Sequence, residues 1–583
     1  MELRSYNNLL LIVMALLISV FLNQDRVIRS FYNDTNKHAV PIASSRTFLG
    51  DEYYYYAAAN DSLNIGLISK DKVYSTNNVL FGSFVISGLI NFFCQNLISS
   101  SDYAILISLI LQTFLLVLAI LYTLKKIGGY EDNSGLWISF WGFITLIFTD
   151  YFILNSYEGS VHARALLSYY PNILRVVNPQ MGWAFGLLYL AVLFVFSADK
   201  TRKFFFTLAL MSLIFSFFSP SLCLTMFFAM SIIVGWLSLR SKSINYSYLL
   251  LAMLLLISFI FNYVQLHNFQ ASPKGLEIGT GVIKGVVFKE HYFIFLLLIL
   301  PIAHYYKNTQ FVILSSVLIS SVLIASFCET IHLGERLWIR GAGIYVWVIC
   351  IILISNWVKG KVYSQIIAAT GVLILGVWTF YLLPHQFKND YGYINSDKWS
   401  LLDWINRNVP SDSVIMSDDL EFSFLLPIYT FSKAFVPLFG QSNISLEGMV
   451  KRYYYTLNQY GTKAQIDHDL KDFNLQTSAQ SLQRVLSGKQ LDDKSFVQNV
   501  FFNYIIYYPY AKFSESAFSS KEQTEKLFSV LDKWNNEKYS EKFPPDYIII
   551  TPNQLSKFSL NTKIVFKTNK YILLSFKNTP IKD

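Results

Sequence analysis

The sequence predicts a polytopic α-helical membrane protein of about eleven transmembrane helices with a C-terminal extracytoplasmic mixed α/β domain. Three observations carry this. Of 583 residues, 53% are hydrophobic and only 15% charged, against about 25% charged in soluble chains. Apolar runs of roughly the ~20 residues that a span needs follow one another as far as about residue 385. Beyond that point charged and polar residues recur every few positions. The chain therefore divides into a membrane domain, 1–385, and a soluble domain, 386–583.

The opening MELRSYNNLLLIVMALLISVFLNQDR has an apolar run without a small-x-small cleavage site after it, and reads as an uncleaved anchor. Predicted spans are 7–24, 102–124, 135–154, 181–198, 203–219, 221–239, 246–266, 291–306, 311–328, 339–358 and 364–383. The run Val79 to Ile98 decides the topology. If it spans, the later basic loops are inverted relative to Arg4. If it rests at the outer interface as an amphipathic segment, Lys125/Lys126, Lys200/Arg202/Lys203, Arg240/Lys242, Lys307 and Lys359/Lys361 all face the cytoplasm, as the positive-inside rule asks. The second arrangement is the expectation, with the N-terminus inside and the C-terminal domain outside.

This topology gathers the unusual charges on the outward side. The first outward loop, with its interfacial helix, occupies 25–101 and holds the adjacent carboxylates Asp51 and Glu52 in FLGDEYYYYAAAN. A second holds Glu158, His162, Arg164 and Arg175, and a later one Glu329, His332, Glu335 and Arg336, with Arg340 at the next span. The inward loops are short and carry little beyond topogenic Lys and Arg, which leaves no room there for a nucleotide-sugar domain. In the soluble part, DKWSLLDWINRNVP has helical spacing and stops at Pro410, while SVIMSDD and DYIIIT are short β-rich runs.

Several classes are excluded. The net charge of +9 comes without a basic run interleaved with aromatics, so no nucleic-acid partner is expected. Cys94, Cys223, Cys328 and Cys350 lie in or beside apolar segments without ligand spacing, which supports neither disulfides nor zinc. No Ser/His/Asp motif, HExxH or phosphate loop occurs.

Asp51 and Glu52 admit two readings. Asp51 caps the helix that follows, with Glu52 complementing its dipole and the tyrosines forming an interfacial belt. Alternatively, a carboxylate pair close to the bilayer surface takes a proton from a hydroxyl nucleophile whose partner is a lipid head group.

A first span, an outward loop with an acidic pair, an interfacial helix, further spans and an outward C-terminal domain together resemble the GT-C glycosyltransferases that use polyprenyl-phosphate-linked sugars, the layout of the protein mannosyltransferases and aminoarabinose transferases. GDEYYYYAAA is similar to the DE form of that superfamily's loop signature. LLDWINRNVPSDSVIMSDD is similar to the passage that often opens its C-terminal domain. The resemblance implies transfer of a sugar from a polyprenyl phosphate to an extracytoplasmic glycan, lipid or protein, and the absence of eukaryotic retention signals fits a bacterial inner membrane. Asp51 would then be the general base and Glu52 its orienting neighbour. Arg175 with Arg164 or His162, and Arg336 or Arg340, would hold the phosphate, with His332 touching sugar and Tyr54 and Tyr55 stacking on sugar or polyprenyl. Plain loop and ion-pair roles stand beside these assignments, Glu335 pairing with Arg336 or Arg340. No cofactor is required, and a divalent metal on the carboxylate pair stays open. Readings of other classes are a lipid-linked glycan flippase and a non-catalytic scaffold in surface-polysaccharide assembly.

Overall fold

The computed structural model describes residues 2–30, 37–39, 82–98, 100–129, 135–154, 180–270, 294–327, 343–358, 393–419, 421–436, 446–461, 545–558 and 562–576. They form a mostly helical chain with a small mixed sheet. In order come α1 (Glu2–Leu22), α2 (Gln24–Ser30), β1 (Lys37–Ala39), α3 (Gly82–Leu97), α4 (Ser101–Ile127), α5 (Gly135–Leu154), α6 (Gln180–Ala198), α7 (Arg202–Phe218), α8 (Pro220–Ser241) and α9 (Tyr246–Gln270). A 3₁₀ turn, Phe295–Leu298, leads into α10 (Ile299–Tyr305), followed by α11 (Asn308–Phe327) and α12 (Gly343–Val358).

Among the described residues, three helices are long and apolar enough to cross a membrane: Asp102–Ile127, Gln180–Ala198 and Pro220–Ser241. They support membrane association. Seven further apolar helices are shorter, among them Asn8–Leu22, Tyr246–Asn262 and Asn308–Ile324. Of the predicted run 291–306, Phe295–Tyr305 is described as one short apolar helix whose first turn is 3₁₀, with Pro301, which has no N–H to donate, in the first turn of its α-helical part. The predicted span 364–383 lies outside the described residues.

The long helix α4 is the centre of the bundle and packs on α1, α3, α5 and α6. Its Lys125 Nζ donates to Asn8 Oδ1 at 2.7 Å, and the Ile127 carbonyl accepts from Tyr306 Oη at 3.0 Å. The Tyr306 ring also meets Phe194 near the end of α6. One end of the bundle is thus defined by Lys125, Ile127, Phe194 and Tyr306. Toward the other end, Asn23 Nδ2 donates to Thr113 Oγ1 at 3.1 Å. Thr123 Oγ1 reaches the Leu187 carbonyl of α6 at 3.1 Å, and Tyr189 Oη meets Ser212 Oγ of α7 at 2.9 Å. Asn262 Nδ2 of α9 donates to the Ser216 carbonyl at 2.6 Å. Interhelical hydrogen bonds of this kind hold helices together where burial of apolar surface against lipid offers little.

α7 ends where Ser219 caps α8 and Pro220 starts it. At this corner two glycines permit close approach. A Cβ on Gly182 would lie 3.0 Å from the Phe218 carbonyl oxygen, and one on Gly82 would lie 3.0 Å from the Phe218 ring. The first residue of α3 therefore sits beside the start of α6, at the opposite end of α6 from Phe194. From there α3 climbs to join the first turn of α4. The expectation for this segment is an amphipathic segment at the outer interface; in the structure Ser83, Ser87 and Asn91 are buried while Leu89, Phe92, Phe93 and Leu97 are exposed.

The C-terminal part comprises β2 (Tyr393–Asn395), α13 (Ser396–Asn408), β3 (Val414–Ser417), α14 (Glu421–Tyr429), β4 (Lys433–Ala434), α15 (Leu446–Tyr460), β5 (Tyr547–Ile550), α16 (Leu555–Phe558), β6 (Thr562–Lys567) and β7 (Ile572–Phe576). The sheet order is β4-β3-β5-β7-β6, with β3 parallel to β4 and β5, and β7 antiparallel to β5 and β6. β3 and β5 are buried along their whole length, as continuous apolar runs in parallel strands are when both faces are covered. The Tyr460 hydroxyl ties α15 to both, meeting the Ile549 carbonyl at 2.7 Å and that of Met416 at 3.1 Å. The early strand β1 pairs antiparallel with β2 in the register His38↔Ile394.

Candidate functional site

The predicted site residues Asp51, Glu52, Tyr54, Tyr55, His162, Arg164, Arg175, His332, Arg336 and Arg340 lie outside the described residues. What is described is the frame on either side of the acidic segment.

That frame is a joint of three elements. β1 brings His38 to the first turn of α4, where His38 Nε2 lies 3.2 Å from Asp102 Oδ2. Asp102 suits this position, because a carboxylate in a first turn complements the helix dipole. Its other oxygen, Oδ1, accepts from Ser100 Oγ. The His38 ring stacks on Trp399 of α13 with centroids 4.4 Å apart and planes 8° from parallel, and Trp399 meets Tyr429 edge-on. Asn395, at the end of β2, caps α13 by accepting from the Asp397 N–H at 2.9 Å. Since the carboxylate stands between the hydroxyl and the imidazole, the trio is not a Ser–His nucleophile relay, which requires the histidine to take the serine proton directly. It locks the first loop, the central helix and the C-terminal domain together. Nearby, the buried Arg26 donates from Nη1 to Asn23 Oδ1 at 2.7 Å.

A second polar group lies at the C-terminal ends of β3 and β5, between connections that leave in opposite directions. In open α/β sheets this crevice is the usual ligand position. Here the described side chains form a hydrogen-bonded set. Gln554 Nε2 donates to Asp418 Oδ2 at 2.8 Å, Lys398 Nζ to Asp419 Oδ2 at 2.8 Å, and Lys557 Nζ to the Tyr460 carbonyl at 2.7 Å. Burial pushes the Asp418 carboxyl above its ordinary range, the neighbouring Asp419 adds to this, and the Gln554 bond opposes it. Among the described residues no group of three or more His, Cys, Asp or Glu is placed to hold a metal.

His38 and Asp102 carry no sequence signal that joins them, being 64 residues apart without a shared motif. Asp418 and Asp419 were more legible, since SVIMSDD reads as a strand ending in two carboxylates. Comparison with protein-family profiles gives no match, and comparison with curated proteins gives none either.

Proposed function

We propose that the chain is an integral-membrane glycosyltransferase of GT-C type, with about eleven spans, in a bacterial inner membrane. It transfers one sugar from a polyprenyl phosphate to a glycan, lipid or protein acceptor outside the cytoplasm. The observation that supports this best is the anchoring of the acidic segment. The stretch with Asp51 and Glu52 leaves described structure at Ala39, held beside α4 and the C-terminal domain through the β1–β2 pair, and returns at Gly82 beside Phe218. Both anchors lie away from the end marked by Lys125 and Tyr306, the end that carries the basic residues expected to face the cytoplasm.

In the reaction, Asp51 takes the proton of an acceptor hydroxyl as its oxygen attacks the anomeric carbon. The bond from that carbon to the phosphate oxygen breaks and polyprenyl phosphate leaves with the electron pair. One displacement inverts configuration. Glu52 orients acceptor or base, and Tyr54 and Tyr55 stack on the sugar or the polyprenyl chain. Arg175 and Arg336, with Arg164, Arg340 and His162 near them, stabilise the charge that develops on the leaving phosphate, while His332 contacts sugar. The chemistry needs no metal, although the carboxylate pair is a suitable donor set for a divalent ion.

The test is sugar transfer in proteoliposomes with a panel of polyprenyl-phosphate sugars and a membrane extract as acceptor source. Asp51→Asn should lose about a hundredfold or more in rate, as removal of a general base does, and Glu52→Gln should lose less. Full activity in both variants would make the pair a helix cap. Wild type inactive with every donor would favour a flippase or a scaffold.

A further inference from the structure

The C-terminal domain touches the membrane domain at a second point besides His38. Phe92 of α3 meets Phe431, in the turn between α14 and β4, edge to face with ring centroids 6.4 Å apart. Phe431 is two residues beyond Tyr429, the ring that Trp399 meets edge-on. One short stretch of the C-terminal domain therefore serves both contacts.

That stretch is stiff. Thr430, between the two rings, donates from Oγ1 to the Leu426 carbonyl at 2.6 Å and accepts from the Ser432 N–H at 3.0 Å. The Phe431 carbonyl accepts from the Asp412 N–H at 2.8 Å, and the Lys433 N–H donates to the Ser413 carbonyl at 2.8 Å. Lys433 Nζ also pairs with Asp412 Oδ1 at 3.2 Å. The turn is thus fastened to the residues that lead into β3, and Trp399 is carried on α13, which packs on α14.

The receiving surface is continuous too. α3 ends at Leu97, α4 begins at Ser101, and the two helices pack on each other. Backbone bonds run up to this corner from both sides, from the Ile98 N–H to the Cys94 carbonyl at 3.0 Å and from the Ala104 N–H to the Ser100 carbonyl at 2.9 Å. Phe92 belongs to one arm of the corner, and Asp102, which holds His38, to the other.

Two stiff bodies that meet at two places do not part at one of them alone. Once either contact is made, the other forms within the same molecule at high effective concentration. Each contact taken singly is small, and domains joined without a large apolar interface move relative to each other as a rule. We propose that the C-terminal domain is a two-point clasp on the first outward loop, closing and opening as one body. Docked, it bears on both flanks of the acidic segment: on β1, where described structure ends at Ala39, and on α3, which the chain enters at Gly82. One docking event then governs both flanks. That the held segment is catalytic rests on the glycosyltransferase reading; the clasp does not.

Hydrogen exchange of the full-length protein in lipid nanodiscs reads the clasp without turnover. Phe92→Ala removes only the second contact, at a residue that is 43% exposed and on a helix, where Ala is well tolerated. If the contacts open as one, exchange at the β1–β2 amides should accelerate about two- to tenfold, the share of an opening equilibrium that one aromatic pair carries, although the substituted ring lies on neither strand. Phe431→Ala should do the same from the other side of the pair, and Phe92→Tyr, which keeps the ring, should exchange like wild type. Amides of β3 and β5 should keep their rates in every variant, which shows that the domain has stayed folded. Exchange at β1–β2 that changes by less than about twofold in both alanine variants would show two independent contacts and overturn the proposal. Acceleration that spreads to β3 and β5 would overturn it as well, since folding of the domain and not its docking would then have been lost. Sugar transfer by the same samples separates the two readings. Coupled exchange with no transfer from any donor sinks only the transferase, whereas transfer with uncoupled exchange sinks only the clasp.

Discussion

Replacing His38 by Ala should release the first loop from the C-terminal domain, and the geometry sets the size of the effect. The imidazole lies 3.2 Å from Asp102 Oδ2, and a hydrogen bond to a charged group contributes about 1.5–3 kcal/mol. Its stacking on Trp399, with ring centroids 4.4 Å apart, contributes about 0.5–1.5 kcal/mol in a well-oriented aromatic pair. Asp102 keeps Ser100 as a donor in the variant, so the lower bound applies, about 2 kcal/mol. Hydrogen exchange at the β1–β2 amides reads the opening of this joint directly. At 1.36 kcal/mol per factor of ten, exchange there should accelerate about 30-fold, while amides of β3 and β5, held from below by Tyr460, keep their rates. A cycle with Asp102→Ala isolates the pair. Its coupling should exceed about 1 kcal/mol. Acceleration of less than about threefold, or additive single variants, would refute the view that this trio fastens the loop to the helix and the domain.

Asp418→Asn should raise the unfolding midpoint at pH 7, by less than about 4 °C. A carboxyl that burial pushes up holds its proton in the native state after the unfolded chain has lost its own. Its contribution is therefore greatest below the ordinary carboxylate range and is lost as pH rises through the native value. The variant's midpoint should accordingly fall less than the wild type's between those two pH values; a midpoint unchanged at pH 7 with the same pH slope would exclude the effect. Gly186→Ala should lower the midpoint by the equivalent of about 1–3 kcal/mol, as overpacking does, because the new Cβ would lie 2.7 Å from Tyr345 Oη and 3.0 Å from Leu222 Cδ1. Gly235→Ala on α8 has no atom within 4 Å of the new Cβ and should be neutral or stabilising by up to about 1 kcal/mol, so equal midpoints for the two variants would contradict the packing at Gly186.

Hydropathy made much of the helical layout legible, because a chain must close its backbone hydrogen bonds within each segment wherever water is absent. The run 221–239 appears as Pro220–Ser241 and 181–198 as Gln180–Ala198. The break at FSPS was readable too, from a capping serine followed by a proline. The two β-rich runs in the C-terminal part became β3 and β5, and their pairing as parallel neighbours explains why both are apolar throughout instead of alternating. Strand β1 could not be seen. Lys37–Ala39 is a three-residue stretch with no alternation, and it is a strand only because Tyr393–Asn395 arrives beside it from more than 350 residues later. The same holds for the joint at His38, whose meaning comes from contacts that no local window contains.

The segment 82–97 marks the boundary between what pattern reveals and what packing decides. Its stripe of Ser83, Ser87, Asn91 and Gln95 is plain from spacing alone, and amphipathic spacing normally means a polar side toward water. Which side faces inward depends on the medium, and hydropathy averages over both. Packing against α4 settles it, because the buried side is the polar one. A helix arranged this way forgoes stability, since Ser→Ala and Gln→Met changes on its inner stripe would remove unmatched groups at little steric cost. Ser87→Ala and Gln112→Met should therefore leave the thermal unfolding midpoint unchanged or raise it, and a clearly lowered midpoint in either would show that the group it removes is matched in the folded protein.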